Sequence, residues 1–358
     1  MIRVLALTRY SRNAASSRQR FLVFRDHLLA HGIELTVRPF FGDGYISHLN
    51  TGIGLSYAQL IRDYARRVQM LAGHHEFDVV WIEKEAIPYL PAVLELTLLR
   101  SARVLLDLDD AWHLRYSSGV LTPFVLGRKM QAITRSASVV AVANDGLEQW
   151  FRATGADPTR MMLLPTGLDV AHYQVRPEPE GVFTLGWIGG PFTAPYLATI
   201  AEPLRRLSNE GVRLLMIGET NPMPALTGVN LEQRPWSEKT EADLLSQCHV
   251  GLNPLPDDEW CRFKSGYKLI QYMAAGRAAV ASPVGANNWV QADGKTGIFA
   301  STGSEWYDAI NRLRLDQQLR SRLAAGGRQR AESVFSIEAL GQKLVALIQK
   351  AAATPRRA

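Results

Sequence analysis

The chain has 358 residues, enough for two domains of ordinary size. Hydrophobic residues make up 47% and charged residues 21%, which excludes extended disorder and collagen-like repeats. The 40 lysines and arginines outnumber 34 acids for a net charge of +6, which suits anionic ligands such as nucleotides, phospholipid surfaces or nucleic acid.

The opening Ile2-Arg3-Val4-Leu5-Ala6-Leu7 reads as a strand and is too short for a secretion signal. A polar loop from Thr8 to Ser17 follows, then Phe21, Phe24, Leu28 and Leu29 at helical spacing, and Ile33 to Val37 alternates as a strand. This strand–loop–helix–strand unit is the usual start of a parallel α/β sheet. Tyr57 to Ala72 and Gln131 to Ser136 are helical segments, and further strands are expected at Asp78 to Ile82, Val104 to Asp107, Ser138 to Val142 and Met161 to Pro165. The polar, proline-bearing stretch Gln174 to Gly181 reads as a linker. Strands then resume at Phe183 to Ile188, Val212 to Gly218, His249 to Asn253 and Ala278 to Ser282. Cys248 and Cys261 make neither a disulfide framework nor a zinc motif, and no apolar run reaches the ~20 residues of a membrane span. A cytosolic protein is expected. Ser336 is a candidate N-cap for a final amphipathic helix carrying Ile337, Leu340, Leu344 and Ile348 on one face, expected to cross back to the first domain.

Five constellations are candidates for chemistry. Gly189-Gly190 ends a strand, with Thr193 placed to cap the next helix, so backbone N–H groups there can approach a phosphate; the bland alternative is an ordinary turn. Lys264-Ser265-Gly266-Tyr267-Lys268 opens a helix whose apolar face is Leu269, Tyr272 and Met273. Lysines at a helix N-terminus oppose the macrodipole, which a bound diphosphate would relieve; the alternative is a solvated lysine pair. Ala279 to Asn288, followed by Asp293-Gly294-Lys295-Thr296-Gly297, reads as a strand, loop, short helix and turn at the carboxyl edge of a sheet, where open α/β sheets bind ligands. Asp107-Leu108-Asp109-Asp110-Ala111-Trp112-His113 ends a strand with acids able to accept sugar hydroxyls or stabilise positive charge, or else to cap a helix. Ser16-Ser17-Arg18-Gln19-Arg20 offers a serine cap and arginines that fork onto anions, and Glu83-Lys84-Glu85 ends another strand. Between Trp112 and Arg135, Leu114, Phe124, Val125 and Leu126 interleave with Arg115, Arg128, Lys129 and Arg135; core residues with solvated basic neighbours are expected over a membrane-facing surface, and no nucleic-acid motif accompanies the charge.

The run Lys268-Leu269-Ile270-Gln271-Tyr272-Met273-Ala274-Ala275-Gly276, with Val280-Ala281-Ser282 and Asp293-Gly294-Lys295-Thr296-Gly297, resembles the donor-binding region of glycosyltransferase family 4, retaining enzymes among the group 1 glycosyl transferases. Pro165-Thr166-Gly167-Leu168-Asp169 is similar to the motif that closes the first domain in that family. The resemblance implies a GT-B fold: two Rossmann-like, doubly wound α/β domains facing a central cleft. It divides the chain into an acceptor-side domain 1–173, a nucleotide-sugar domain 182–335 and a C-terminal helix 336–358. It further implies a metal-independent, retaining transfer from a UDP- or GDP-sugar to a glycan or lipid-linked hydroxyl, with no other cofactor, no nucleic-acid partner and membrane contact at most peripheral, on the cytoplasmic face. Polysaccharide or glycolipid assembly is the corresponding family-based setting. Asp109, Asp110 and Lys268 are the implied catalytic residues. Gly189, Gly190, Thr193, Arg234, Lys264, Ser265, Gly266, Tyr267, Lys268 and Gln271 would hold the donor, and Arg18, Glu85 and His113 would face the acceptor. The sequence departs from the family where Phe263 and Gln271 replace two glutamates and where the basic pair after Ile188 is missing. A non-catalytic GT-B partner subunit and a sugar-nucleotide epimerase of the same fold are therefore the competing expectations.

Overall fold

In a computed structural model of the chain, residues 1–42, 44–45, 56–117, 122–292 and 294–356 are described. They form two compact units. The first contains Met1–Gly167, Phe263–Ser265 and Ile337–Ala358; the second contains Leu168–Arg262 and Gly266–Ser336.

The first unit is built on a six-stranded sheet of β1 (Ile2–Tyr10), β2 (Ile33–Phe41), β3 (Val79–Glu83), β4 (Val104–Leu108), β5 (Val139–Val142) and β6 (Met161–Leu163). The strand order is β2-β1-β3-β4-β5-β6 and every pairing is parallel. A parallel sheet is covered on both faces, so its strands read as near-continuous apolar runs. One face packs against Leu71, Leu99, Met130, Ile133, Leu147 and Phe151 from the connecting helices. The other packs against Phe21, Phe24 and Leu28 together with Leu340, Leu344, Leu347 and Ile348 of the final helix, Ile337–Ala353. β1 extends past Leu7 to Tyr10, where a loop was expected, because Arg9 is buried by an ion pair to Glu85 at 2.6 Å. A short helix, Ala15–Arg20, also occupies part of that loop.

The second unit repeats the plan with β7 (Thr184–Ile188), β8 (Arg213–Ile217), β9 (Leu231–Arg234), β10 (Val250–Asn253), β11 (Ala278–Ala281) and β12 (Gly297–Phe299). Its order, β12-β11-β10-β7-β8-β9, is again wholly parallel. The stretch 174–181 is pinned to this unit: Arg277 donates to the carbonyls of Arg176 and Pro177 at 3.1 Å each, and Arg320 pairs with Glu178.

In open sheets of this kind, ligands bind beyond the carboxyl ends of the strands where the strand order reverses. That point lies between β1 and β3 in the first unit and between β7 and β10 in the second.

Candidate functional site

Each unit carries a candidate site at its own switch point. In the second, β7 runs into Gly189-Gly190, and the backbone N–H of Gly189 donates to Ile217. A Cβ on Gly189 would lie 2.6 Å from the buried Trp187 ring and 2.7 Å from Thr193 Oγ1, whereas one on Gly190 would meet open space. Glycine is thus required at 189 by packing, and Gly190 is the residue that leaves the backbone open to an approaching group. The β8 turn closes against this loop: Gly218, at φ 106°, would bring a Cβ to 2.4 Å from the Gly189 carbonyl oxygen.

Lys268 comes to the same place from 75 positions along the chain. Its Nζ donates to Thr193 Oγ1 at 3.4 Å and stands 5.3 Å from the Trp187 ring centroid. Thr193 occupies the N-cap position of the following 3-10 helix without capping it; its hydroxyl hydrogen-bonds the Gly190 carbonyl instead. Lys268 belongs to the helix Tyr267–Ala274, whose N-cap Gly266 sits at φ 66° with no side-chain cap, so the first-turn N–H groups lack a capping side chain. The half-buried Tyr267 is the first residue of that helix.

Gln271 is buried, and its Nε2 donates to Tyr173 Oη at 3.5 Å. Tyr173 in turn donates to Glu241, which also accepts from Trp236 Nε1 at 2.6 Å. Burial, with Tyr267 and Glu241 nearby, holds the Tyr173 hydroxyl well above its ordinary pKa. Glu241, a buried carboxylate that the motif reading passed over, is thus linked to Gln271 through Tyr173. Arg234, at the exposed end of β9, pairs with Glu232 at 2.7 Å. Asp293 lies outside the described residues.

Lys264 and Ser265 part company with Lys268. They belong to the first unit, where Ser265 Oγ donates to the Asp109 carbonyl at 2.9 Å. Lys264 is one of the cations lowering the pKa of Asp110, whose carboxyl burial and the adjacent Asp109 nevertheless push up to about 6. Asp109 itself is nearly buried, with Lys84 Nζ 3.0 Å from its Oδ1. The same ammonium is 3.0 Å from Glu83 Oε1. Burial works against the Lys84 charge, but Asp109 and Glu83 more than offset it and raise its pKa. Neither Asp109 nor Asp110 caps the helix Trp112–Arg115, whose N-cap is Ala111 with no side-chain bond.

The remaining acceptor-side candidates are drawn inward. Glu85 is buried, and its oxygens accept from Arg9, Tyr116 and Lys129 at 2.6 Å each. Arg18 is also buried, with Nη1 on the Arg12 carbonyl at 3.2 Å. Arg20 pairs with Asp107 at 2.6 Å and reaches the carbonyl of Leu164. The serines do not cap the helix; Ser17 lies within it and donates to Glu83 at 3.0 Å. His113 stacks on Trp150 with ring centroids 3.8 Å apart, and both ring nitrogens are buried without a partner among the described residues. Burial pushes its pKa down to about 4, so the ring is neutral at pH 7. The stretch expected to hold core residues and solvated cations inverts in part: Phe124 and Val125 are exposed, while Lys129 is buried between Glu85 and Glu95.

Residues 184–316 match the family model described as glycosyl transferases group 1. No curated protein sequence matches the chain significantly. Among solved structures, Anabaena HepE in complex with UDP and glucose is 16% identical at a TM-score of 0.68, over 98% of this chain and 100% of HepE. Sucrose-phosphate synthase from Thermosynechococcus elongatus is 13% identical at 0.71, over 98% and 99%. WaaG, a glycosyltransferase involved in lipopolysaccharide biosynthesis, is 15% identical at 0.68, over 97% and 99%.

The fold is GT-B. Within this GT-B chain the family match includes Gly189, Gly190, Thr193, Lys268 and Gln271, and it stops short of Asp109 and Asp110. It also spans Glu241 and Trp236.

Proposed function

We propose that the chain is a glycosyltransferase that moves a sugar from a nucleoside-diphosphate donor to an acceptor hydroxyl with retention of configuration. The observation that carries the reading is Lys268: its ammonium lies beside Thr193 and the Gly189-Gly190 turn, at the carboxyl edge of the second sheet. A cation, an open glycine backbone and an uncapped helix start together suit a diphosphate. The family match over 184–316 and the fold shared with HepE, whose structure holds UDP, support a uridine donor ahead of a guanosine one.

In the reaction, the bond from the anomeric carbon to the β-phosphate oxygen breaks and the diphosphate leaves with the electron pair. Lys268 and the N–H groups around Gly190 and Tyr267 stabilise that charge. The acceptor oxygen bonds to the anomeric carbon on the face the diphosphate leaves, and its proton passes to a leaving phosphate oxygen. Asp109, paired with Lys84 at 3.0 Å, stabilises positive charge developing on the sugar ring. Asp110 assists it, while Gly266 and Gln271 frame the donor and Arg234 with Trp236 borders its base. Lys264 and Ser265 serve the Asp109 side. No step calls for a metal ion. Among the described residues, no helix is long and apolar enough to cross a membrane. Exposed Phe124 and Val125 beside Arg128 support peripheral contact with an anionic leaflet carrying a lipid-linked acceptor.

The test is release of nucleotide from a panel of UDP- and GDP-sugars with glycan and lipid-linked acceptors, with the product anomer read by NMR. The expected result is turnover with one donor, an unchanged anomeric configuration, and a loss of about 10²–10³-fold in kcat in Lys268→Ala. Epimerised donor without acceptor would favour the epimerase, and nucleotide binding without turnover a non-catalytic subunit.

A further inference from the structure

The carboxyl end of β1 and the segments that follow β3 and β4 carry aromatic rings and arginines that the proposed donor chemistry does not use. The Arg9 guanidinium is buried, paired with Glu85, and lies 4.2 Å from the Trp112 ring centroid and 4.9 Å from that of Tyr89. Its Nη2 has no hydrogen-bond partner among the described residues, its Nε donates to Tyr10 Oη at 3.3 Å, and the rings of Trp112 and Tyr89 approach it more closely than those of Tyr10 and Phe41, at 5.7 Å each. Arg115 is exposed yet ordered by the same two rings: its guanidinium is 5.2 Å from Trp112 and 5.8 Å from Tyr89, and Nη2 donates to Tyr89 Oη at 3.3 Å. That is its one hydrogen bond among the described residues.

The loop that presents Tyr89 is strained at both ends. Lys84 has φ 64° and Tyr89 φ 60°, in the left-handed region that side chains bearing a Cβ avoid. Both are over-determined by partners: Lys84 by Glu83 and Asp109, and Tyr89 by Arg9, Arg115 and its backbone N–H bond to Tyr116 Oη at 3.2 Å. Tyr89 nevertheless keeps 36% of its surface exposed. Strain of this kind persists at binding sites, where it fixes a group in the orientation a ligand needs. The Trp112 ring that supports both arginines is also 5.5 Å from Lys84 Nζ, the partner of Asp109, so the platform lies one side chain away from that carboxylate.

A flat ring held rigid beside an ordered guanidinium fits one ligand chemistry. The C–H face of a pyranose packs on the tyrosine ring, and the planar fork of arginine reads a carboxylate or phosphate through two parallel hydrogen bonds. We infer that Tyr89 and Arg115 form an acceptor subsite for a pyranose carrying a negatively charged group. The inference rests on the glycosyl-transfer reading and adds the class of acceptor.

Three disaccharides that share one neutral core test it, titrated into the full chain with affinity followed by NMR. One ends in glucose, one in glucuronic acid and one in glucose 6-phosphate. Both acidic probes are expected to bind at least tenfold more tightly than the neutral one, and the stronger of the two identifies the anion as carboxylate or phosphate. Arg115→Gln, at an exposed position, should abolish that preference, so that acidic and neutral probes bind alike. Tyr89→Leu should weaken all three, and Tyr89→Phe, which keeps the ring, should restore neutral binding. Thermal stabilisation by UDP is measured on every variant as a control of folding and of the donor site. Equal binding of neutral and acidic probes, or unchanged acidic binding in Arg115→Gln, would overturn the subsite. So would no binding of any probe by a chain that still responds to UDP, which leaves the transfer reading standing. A wild type that binds no probe and responds to none of UDP, GDP and ADP would bring down both.

Discussion

His113 shows how far a residue's role depends on neighbours that the sequence does not reveal. The family resemblance implies an acceptor-facing His113; in the structure its ring packs with Trp150, Phe151 and Phe263. Its folded pKa, about 4, lies below the ordinary 6.5, so the unfolded chain binds more protons between those values. The stability its neutral form contributes is complete above about pH 6.5 and is lost as pH falls toward 4. His113→Phe should remove that slope: in denaturation series from pH 7.5 to 4, wild type should lose stability relative to the variant across this window. Parallel curves would contradict the burial argument. Gly189 and Gly190 offer a second contrast between adjacent, chemically identical residues. Gly189→Ala must displace Trp187 or Thr193 and should cost about 1–3 kcal/mol in urea denaturation, whereas Gly190→Ala should change stability by less than about 0.5 kcal/mol. Both glycines were legible as a turn; which of them is needed for packing was not, because the clashing atoms include the ring of Trp187, folded back over the turn. Nor was Glu241 legible as the carboxylate near Gln271, since the link runs through Tyr173, 98 positions away from Gln271.

Among elements, central strands were the easiest to read and the edge strands of the second sheet the hardest. β3, β5, β10 and β11 are buried along their whole length, so they appear as unbroken apolar runs. β9, with the sequence Leu-Glu-Gln-Arg, and β12, with Gly-Ile-Phe, are the edges of the second sheet, and their half-exposed residues left no such run, whereas the first sheet's edges, β2 and β6, were read at Ile33 to Val37 and Met161 to Pro165. The helix Tyr57–Ala72 has the bounds read from its periodicity, with Leu71 buried on the sheet side. The final helix, Ile337–Ala353, is as deeply packed as any central strand: Leu340, Leu344, Leu347 and Ile348 are fully buried in the first unit. Leu344→Ala should therefore cost about 2–5 kcal/mol in chemical denaturation. A cost near zero would mean that the helix is only loosely docked on the first sheet.

At the scale of the whole chain, two parallel sheets with reversing strand order each gather chemistry-bearing side chains at one edge. The first holds Lys84, Asp109 and Asp110; the second holds Gly190, Thr193 and Lys268. Lys264 and Lys268 come from one motif, and the contacts group Phe263–Ser265 with the first unit and Lys268 with the second. That boundary, between Ser265 and Gly266, is not disclosed by spacing along one helix start. The central claim is that the second unit binds a nucleoside diphosphate through Lys268. The direct measurement is the melting temperature of wild type and Lys268→Ala with UDP, GDP, ADP and the corresponding nucleotide-sugars, since a ligand that binds the native state raises the melting point with its occupancy. The account predicts stabilisation of wild type by one nucleotide, UDP first, and little or none in the folded variant. A well-folded wild type that responds to no nucleotide, or a Lys268→Ala chain that responds as strongly as wild type, would contradict it.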